Sequence, residues 1–308
     1  MHRERRQFLQ QSVAAMTGLA LGLPGQAADS PSPAARPIGL QLFTLGKAVE
    51  KAPEAVLEQL AGFGYGEIEA IQYATLAPAA LRRAAEQAGL LMRCAHLDFA
   101  SQEDPSSALE VAHILGVKQV ASGVLPPAAL PKLSLASLSG ALSVSAFQRI
   151  AARANRIGEA AQRAGLSYAY HNHNYEFQDL GGGICGYDVL LRETDPRYVK
   201  FQLDCAWISF AGQSAVAYLQ RHKGRFSALH IKNVDVIAQS TTLDLAATSH
   251  FTELGLGVID YQPILAEGLR QNIPYLIIEH DPYKGVAIGM DMVKRELDYV
   301  RGLLQKMV

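Results

Sequence analysis

Three cysteines in 308 residues, Cys94, Cys185 and Cys205, lie far apart and form no CxxC pair, which excludes a disulfide framework and a thiolate zinc knuckle. Any metal in this chain is therefore held mainly by His, Asp and Glu. A surplus of positive charge is also missing: 28 Lys+Arg against 29 Asp+Glu leave a net charge of -1, so bulk electrostatics give no reason to bind nucleic acid or an anionic membrane. A composition that is 49% hydrophobic and 19% charged excludes a disordered or fibrous chain. No GxGxxG follows the first strand candidate, and Gly181-Gly182-Gly183 has no phosphate-loop Lys, which disfavours an open dinucleotide-binding sheet.

What is present begins with a leader. A basic start to Arg6, an apolar stretch over 13–23 and the small residues Gly25-Gln26-Ala27 have the anatomy of a bacterial export signal over 1–28. Arg5-Arg6-Gln7-Phe8-Leu9 resembles the twin-arginine motif, although Glu4 stands where Ser or Thr is usual. The apolar stretch falls well short of the ~20 residues of a membrane-spanning helix, so export to the periplasm or beyond is expected, with no stable membrane anchor. Twin-arginine export carries folded proteins, which hints at a cofactor loaded in the cytoplasm. Residues 29–37 read as a Pro/Ser/Ala-rich tail.

Beyond it, short β-branched or apolar runs alternate with amphipathic stretches. The strand candidates are 38–45, 67–71, 90–99, 118–124, 167–170, 199–203, 227–231 and 275–278. Several intervening segments begin near Pro and end at Gly, the chemistry of helix starts and stops. Eight β/α alternations predict an α/β fold, a (β/α)8 TIM barrel over 37–308, for which ~250 residues are typical. Two long loops, 125–144 and 234–257, overhang its catalytic face.

In such a barrel the site lies at the C-terminal ends of the strands. Strand five ends in His171-Asn172-His173-Asn174-Tyr175-Glu176-Phe177, strand six in Asp204, strand seven in His230-Ile231-Lys232-Asn233, and strand eight in Glu279-His280-Asp281. A single buried Asp or His is ordinarily a satisfied structural group. Four strands ending alike point elsewhere, because carboxylates gathered in one mouth are costly to desolvate unless a cation compensates them. A mixed His/carboxylate set suits Mn2+, Zn2+, Fe2+ or Co2+ better than Ca2+.

These strand ends, with the Glu253-Leu254-Gly255-Leu256-Gly257 segment, resemble the xylose-isomerase-like TIM-barrel superfamily in its sugar phosphate isomerase/epimerase branch, over about 37–308. The resemblance implies one divalent metal ion, Mg2+ included among the choices, held by Asp204, His230, Glu279 and a strand-five ligand. Many relatives have Glu at that last position; here it is His171, or Glu176 returning to the metal. The resemblance also implies isomerisation or epimerisation of a sugar through an enediolate, with Glu279 and Glu176 as an acid/base pair. The same intermediate can expel a β-leaving group, which keeps a lyase, hydratase or dehydratase open, and a non-catalytic sugar-binding barrel is a further alternative. His171, His173 and Lys232 are candidate proton donors or oxyanion stabilisers. Glu69, His96 and Trp207 are candidates for holding substrate hydroxyls or a sugar face. Export and the lack of an Arg-rich cradle favour an uncharged carbohydrate over a sugar phosphate. Nothing in the composition opposes a homo-oligomer.

Overall fold

The computed structural model describes residues 32–73, 75–101, 103–125, 142–243, 245–281 and 288–307. The leader expected over 1–28 and most of the loop expected at 125–144 lie outside the described residues. In chain order the strands are β1 Gly39–Gln41, β2 Glu67–Ile71, β3 Leu91–His96, β4 Gln119–Ser122, β5 Ser167–His171, β6 Val199–Asp204, β7 Phe226–Ile231, β8 Asn233–Val234, β9 Phe251–Thr252 and β10 Tyr275–Ile278. Eight of them close into a barrel in the order β1-β10-β7-β6-β5-β4-β3-β2, every pairing parallel. Among the described residues no helix is long and apolar enough to cross a membrane.

The helices follow from local chemistry. Pro53–Phe63 and Pro78–Ala88 start on a proline whose missing N–H costs nothing there. The second stops at Gly89, whose φ of 73° few other residues tolerate. Three strand expectations, 38–45, 90–99 and 118–124, are too long, and for the first two the cause is a side chain. After Gln41 the chain turns into a 3-10 segment, Leu42–Leu45, because the Gln41 side chain accepts a hydrogen bond from the Phe43 N–H at 3.0 Å. After His96 the Asp98 carboxylate takes up the Ala100 and Ser101 N–H groups, which ends β3. The loop after β7 contains an unexpected ribbon, β8 paired antiparallel with β9.

Period-two alternation places the site. Outward residues such as Leu203, Leu229 and Ile231 join the large apolar layer beneath the helices. The inward series is polar: Glu69 on β2, Gln202 and Asp204 on β6 and His230 on β7 are all fully buried. The barrel thus carries charge in its interior and relies on partners to neutralise it.

Candidate active site

The floor is an ion-paired cluster. His230 is bracketed by two carboxylates, with Nε2 2.8 Å from Glu69 Oε2 and Nδ1 2.6 Å from Glu279 Oε2. Burial alone would lower this imidazole, but the charge of Glu69 and the hydrogen bonds to Glu279 and Glu69 outweigh it and raise it to about 10. Burial likewise pushes Glu69 up, and the charges of His230 and His96 overcome it and hold Glu69 well below the usual carboxylate range. The other Glu69 oxygen accepts from Gln202 at 2.8 Å and lies 2.9 Å from His96 Nε2. Glu69 is therefore an interior counter-ion, and His96 above it reaches the cavity.

The mouth is built around one ammonium. Lys232, only 2% exposed, places Nζ 2.8 Å from Glu279 Oε1, 3.0 Å from Asp204 Oδ2 and 3.0 Å from Asp281 Oδ2. Burial disfavours its charge, yet Asp204, Asp281 and Glu279 together raise it well above the ordinary lysine value. Burial pushes Asp204 up to about 6, whereas the Lys232 charge holds Glu279 low against its own burial. Phe251, delivered by the β8–β9 ribbon, and Trp207 close over the ammonium at 5.2 and 6.0 Å from their ring centres. Trp207 stands edge-on to Phe251 at 4.8 Å, so it both packs and faces the cavity.

Local backbone chemistry fixes these groups. Asp204 caps the helix Cys205–Phe210, its Oδ1 accepting from the Ala206 and Trp207 N–H groups at 2.9 and 2.8 Å, which leaves Oδ2 for the barrel mouth. Asn233 clamps the following loop by accepting from Val234 and Ile259 N–H at 2.9 and 3.0 Å. That clamp explains Gly257, where an added Cβ would lie 2.3 Å from the Asn233 side chain.

The strand-five segment divides its labour. His171 and His173 line the cavity, while Asn172 stitches to Asp204 and Asn174 donates to the Ser240 and Thr242 carbonyls. Glu176 is not brought into the mouth. It is fully buried, accepting from the Tyr170 hydroxyl and the His173 N–H, each at 2.9 Å, so it props the loop that carries the two histidines. Burial raises it to about 8. Between pH 4.5 and 8 the unfolded chain has lost this proton and the folded chain keeps it, so stability falls as pH rises, by about 1.4 kcal/mol per unit. Glu176→Gln should remove that slope, as read from denaturant midpoints of wild type and variant at several pH values; identical slopes would contradict this placement.

Two sets of side chains could hold a cation: His171, Asp204 and Glu279, and His96, His171 and His230, with the donor atoms of each set within 4.8 Å of one another. The first fits better. His171 Nδ1 is buried without a hydrogen-bond partner, and burial, with the nearby His230 charge, keeps the ring neutral and its lone pair available. Asp204 Oδ2 meets Lys232 and lies 3.5 Å from His171 Nε2, but it accepts no hydrogen bond. In the second set both His230 nitrogens already face carboxylates. Of the expected ligands, then, His171, Asp204 and Glu279 converge, His230 supports Glu279 from behind, and Glu176 lies elsewhere. Of these, His171 and Glu279 line a cavity of about 320 Å³, together with His96, His173, Trp207 and Asp281. Sequence reasoning passed over Asp281, although it lies two residues beyond Glu279 and so on the same face of the strand's continuation.

The closed parallel barrel and these polar strand ends agree with one family: the chain belongs to the xylose isomerase-like TIM barrel family, whose profile matches residues 57–301. It is 30% identical over 161 residues to an inosose dehydratase of Geobacillus thermodenitrificans, covering 48% of this chain and 51% of that protein. The chain spans about half the length of the curated relatives it matches. Among solved structures it resembles a sugar phosphate isomerase/epimerase from Parabacteroides distasonis, with a TM-score of 0.69 at 22% identity, covering 91% of this chain and 98% of that one. A second is the "probable 3-DHS dehydratase" of Bacillus anthracis, with a TM-score of 0.61 at 14% identity over 85% and 97% of the two chains.

Proposed function

We propose that this barrel removes water from a cyclic polyhydroxy ketone by β-elimination, with one divalent cation held by His171, Asp204 and Glu279. The observation that carries this reading is that the carboxylates lining the cavity come from one strand end only. Glu279 and Asp281 both come from the end of β10, whereas the second glutamate that an epimerase would place across the substrate, Glu176, is locked behind the wall by Tyr170 and His173. The inosose dehydratase relatives support the same outcome.

When bound, the cation polarises the substrate carbonyl and acidifies the neighbouring C–H. Asp281 lines the cavity outside both cation-competent sets, and burial raises its carboxyl despite Lys232 beside it, which suits it to accept the α-proton. The buried Lys232 ammonium positions Glu279 and Asp281 for this transfer. Asp281 then returns its proton to the departing hydroxyl on the same face, so water leaves and the carboxylate is regenerated.

A second reading, isomerisation or epimerisation, draws on His171 and His173, neutral imidazoles contributed by β5 that could return a proton to the other face. Product analysis with inosose and related ketones, using protein loaded with Mn2+, separates the two. Loss of one water supports elimination, an isomer of unchanged mass supports the second reading, and unreacted ketone throughout contradicts both. The leader expected over 1–28 would carry this chemistry outside the cytoplasm, a part of the proposal that fractionation of the producing cells tests.

A further inference from the structure

The cavity has two unlike linings. Glu279 and Asp281 line it, and the single ammonium they share with Asp204, Lys232, already lies 2.8–3.0 Å from all three carboxylates. Three negative charges and one positive leave -2, which a divalent cation brings to about zero and not beyond. Among the described residues no Arg lines this cavity. A phosphate or carboxylate on the substrate would therefore enter without a partner, and its desolvation would go uncompensated.

The rim is apolar. Phe43, Ile71, Val124 and Leu243 line it, and Phe43 is 46% exposed at the end of the short β1, where a large hydrophobic side chain gains nothing from the fold's own core. Gln41, two residues before it, also lines the cavity. The turn that presents Phe43 is held by the Gln41 side chain itself, which accepts from the Phe43 N–H. We infer that the substrate is an uncharged polyhydroxy ring carrying an apolar substituent, the ring seated over the carboxylates and the substituent against Phe43 and its apolar neighbours. The inference rests on the reaction proposed above and adds which member of that substrate class the cavity selects.

Three unreactive probes test it by calorimetric titration of the full chain loaded with Mn2+: methyl β-glucopyranoside, its monophosphate, and phenyl β-glucopyranoside. The phenyl glycoside should bind at least about tenfold more tightly than the methyl glycoside, and the monophosphate at least about tenfold more weakly. Phe43→Ala, a change at an exposed position that the fold tolerates, should erase the phenyl advantage and leave the methyl affinity in place. Equal binding of phenyl and methyl glycosides would show that the chain itself covers the rim, and a monophosphate that binds as well as its parent would show a hidden cation; either overturns the inference, as does the absence of binding by all three. Should ketone dehydration be observed while the probes fail to discriminate, only this inference falls. Unreacted ketone would instead remove the reaction on which it rests.

Discussion

Replacing Lys232 by Met should cost the barrel about 3–5 kcal/mol of stability in the presence of a chelator, and Mn2+ should restore much of that loss. Removing one member of a buried ion cluster leaves its partners charged and unsolvated, and here three carboxylates share the single ammonium. Divalent cations relieve the same strain through Asp204 and Glu279, so the variant gains more from Mn2+ than the wild type does. Loss of the cation that positions Glu279 and Asp281 should also lower turnover by about 10²-fold even with metal present. Denaturant titrations of both proteins with chelator and with Mn2+ check the first effect. A variant as stable as the wild type in chelator would mean that the three acids carry no charge in the folded state.

Asp281→Asn should lower kcat by about 10²–10⁴-fold, the usual worth of a positioned general base, while Mn2+ affinity stays within about threefold of wild type. Asp204→Asn should instead lose metal and turnover together. The contrast follows from placement: Asp204 Oδ2 belongs to the cation-competent set and Asp281 does not, although both touch Lys232. Parallel calorimetry of Mn2+ binding and single-turnover rates distinguishes the two. If Asp281→Asn lost metal as severely as Asp204→Asn, the division between base and ligand drawn here would be wrong.

Much of the barrel was legible because its signals are local. Alternating runs marked the strands, and proline at helix starts with glycine at helix ends marked what lies between. The strand ends carried the site equally openly at Asp204, His230 and Glu279, since a β-strand sends its last inward residue to the mouth. Glu176 was misleading because spacing along the chain does not show which way a short 3-10 turn points. That turn, Tyr175–Phe177, sends the carboxylate back under β5 to meet Tyr170. Lys232 reads from the sequence as a candidate proton donor or oxyanion stabiliser, and its burial shows only once the ends of β6 and β10 bring Asp204, Glu279 and Asp281 around it. The polar interior at Glu69, Gln202 and His230 depends on contacts between residues more than 100 positions apart, which no local pattern displays.

The most direct test of the central claim is mass spectrometry on a cyclic polyhydroxy ketone deuterated at the carbon beside the carbonyl and incubated with the full chain. The account predicts a product lighter by one water and stripped of that deuterium with Mn2+ present, unreacted ketone with chelator, and no conversion above background in Asp204→Asn. Conversion that persists undiminished in chelator or in Asp204→Asn, or a product that keeps the label at that carbon, would contradict it.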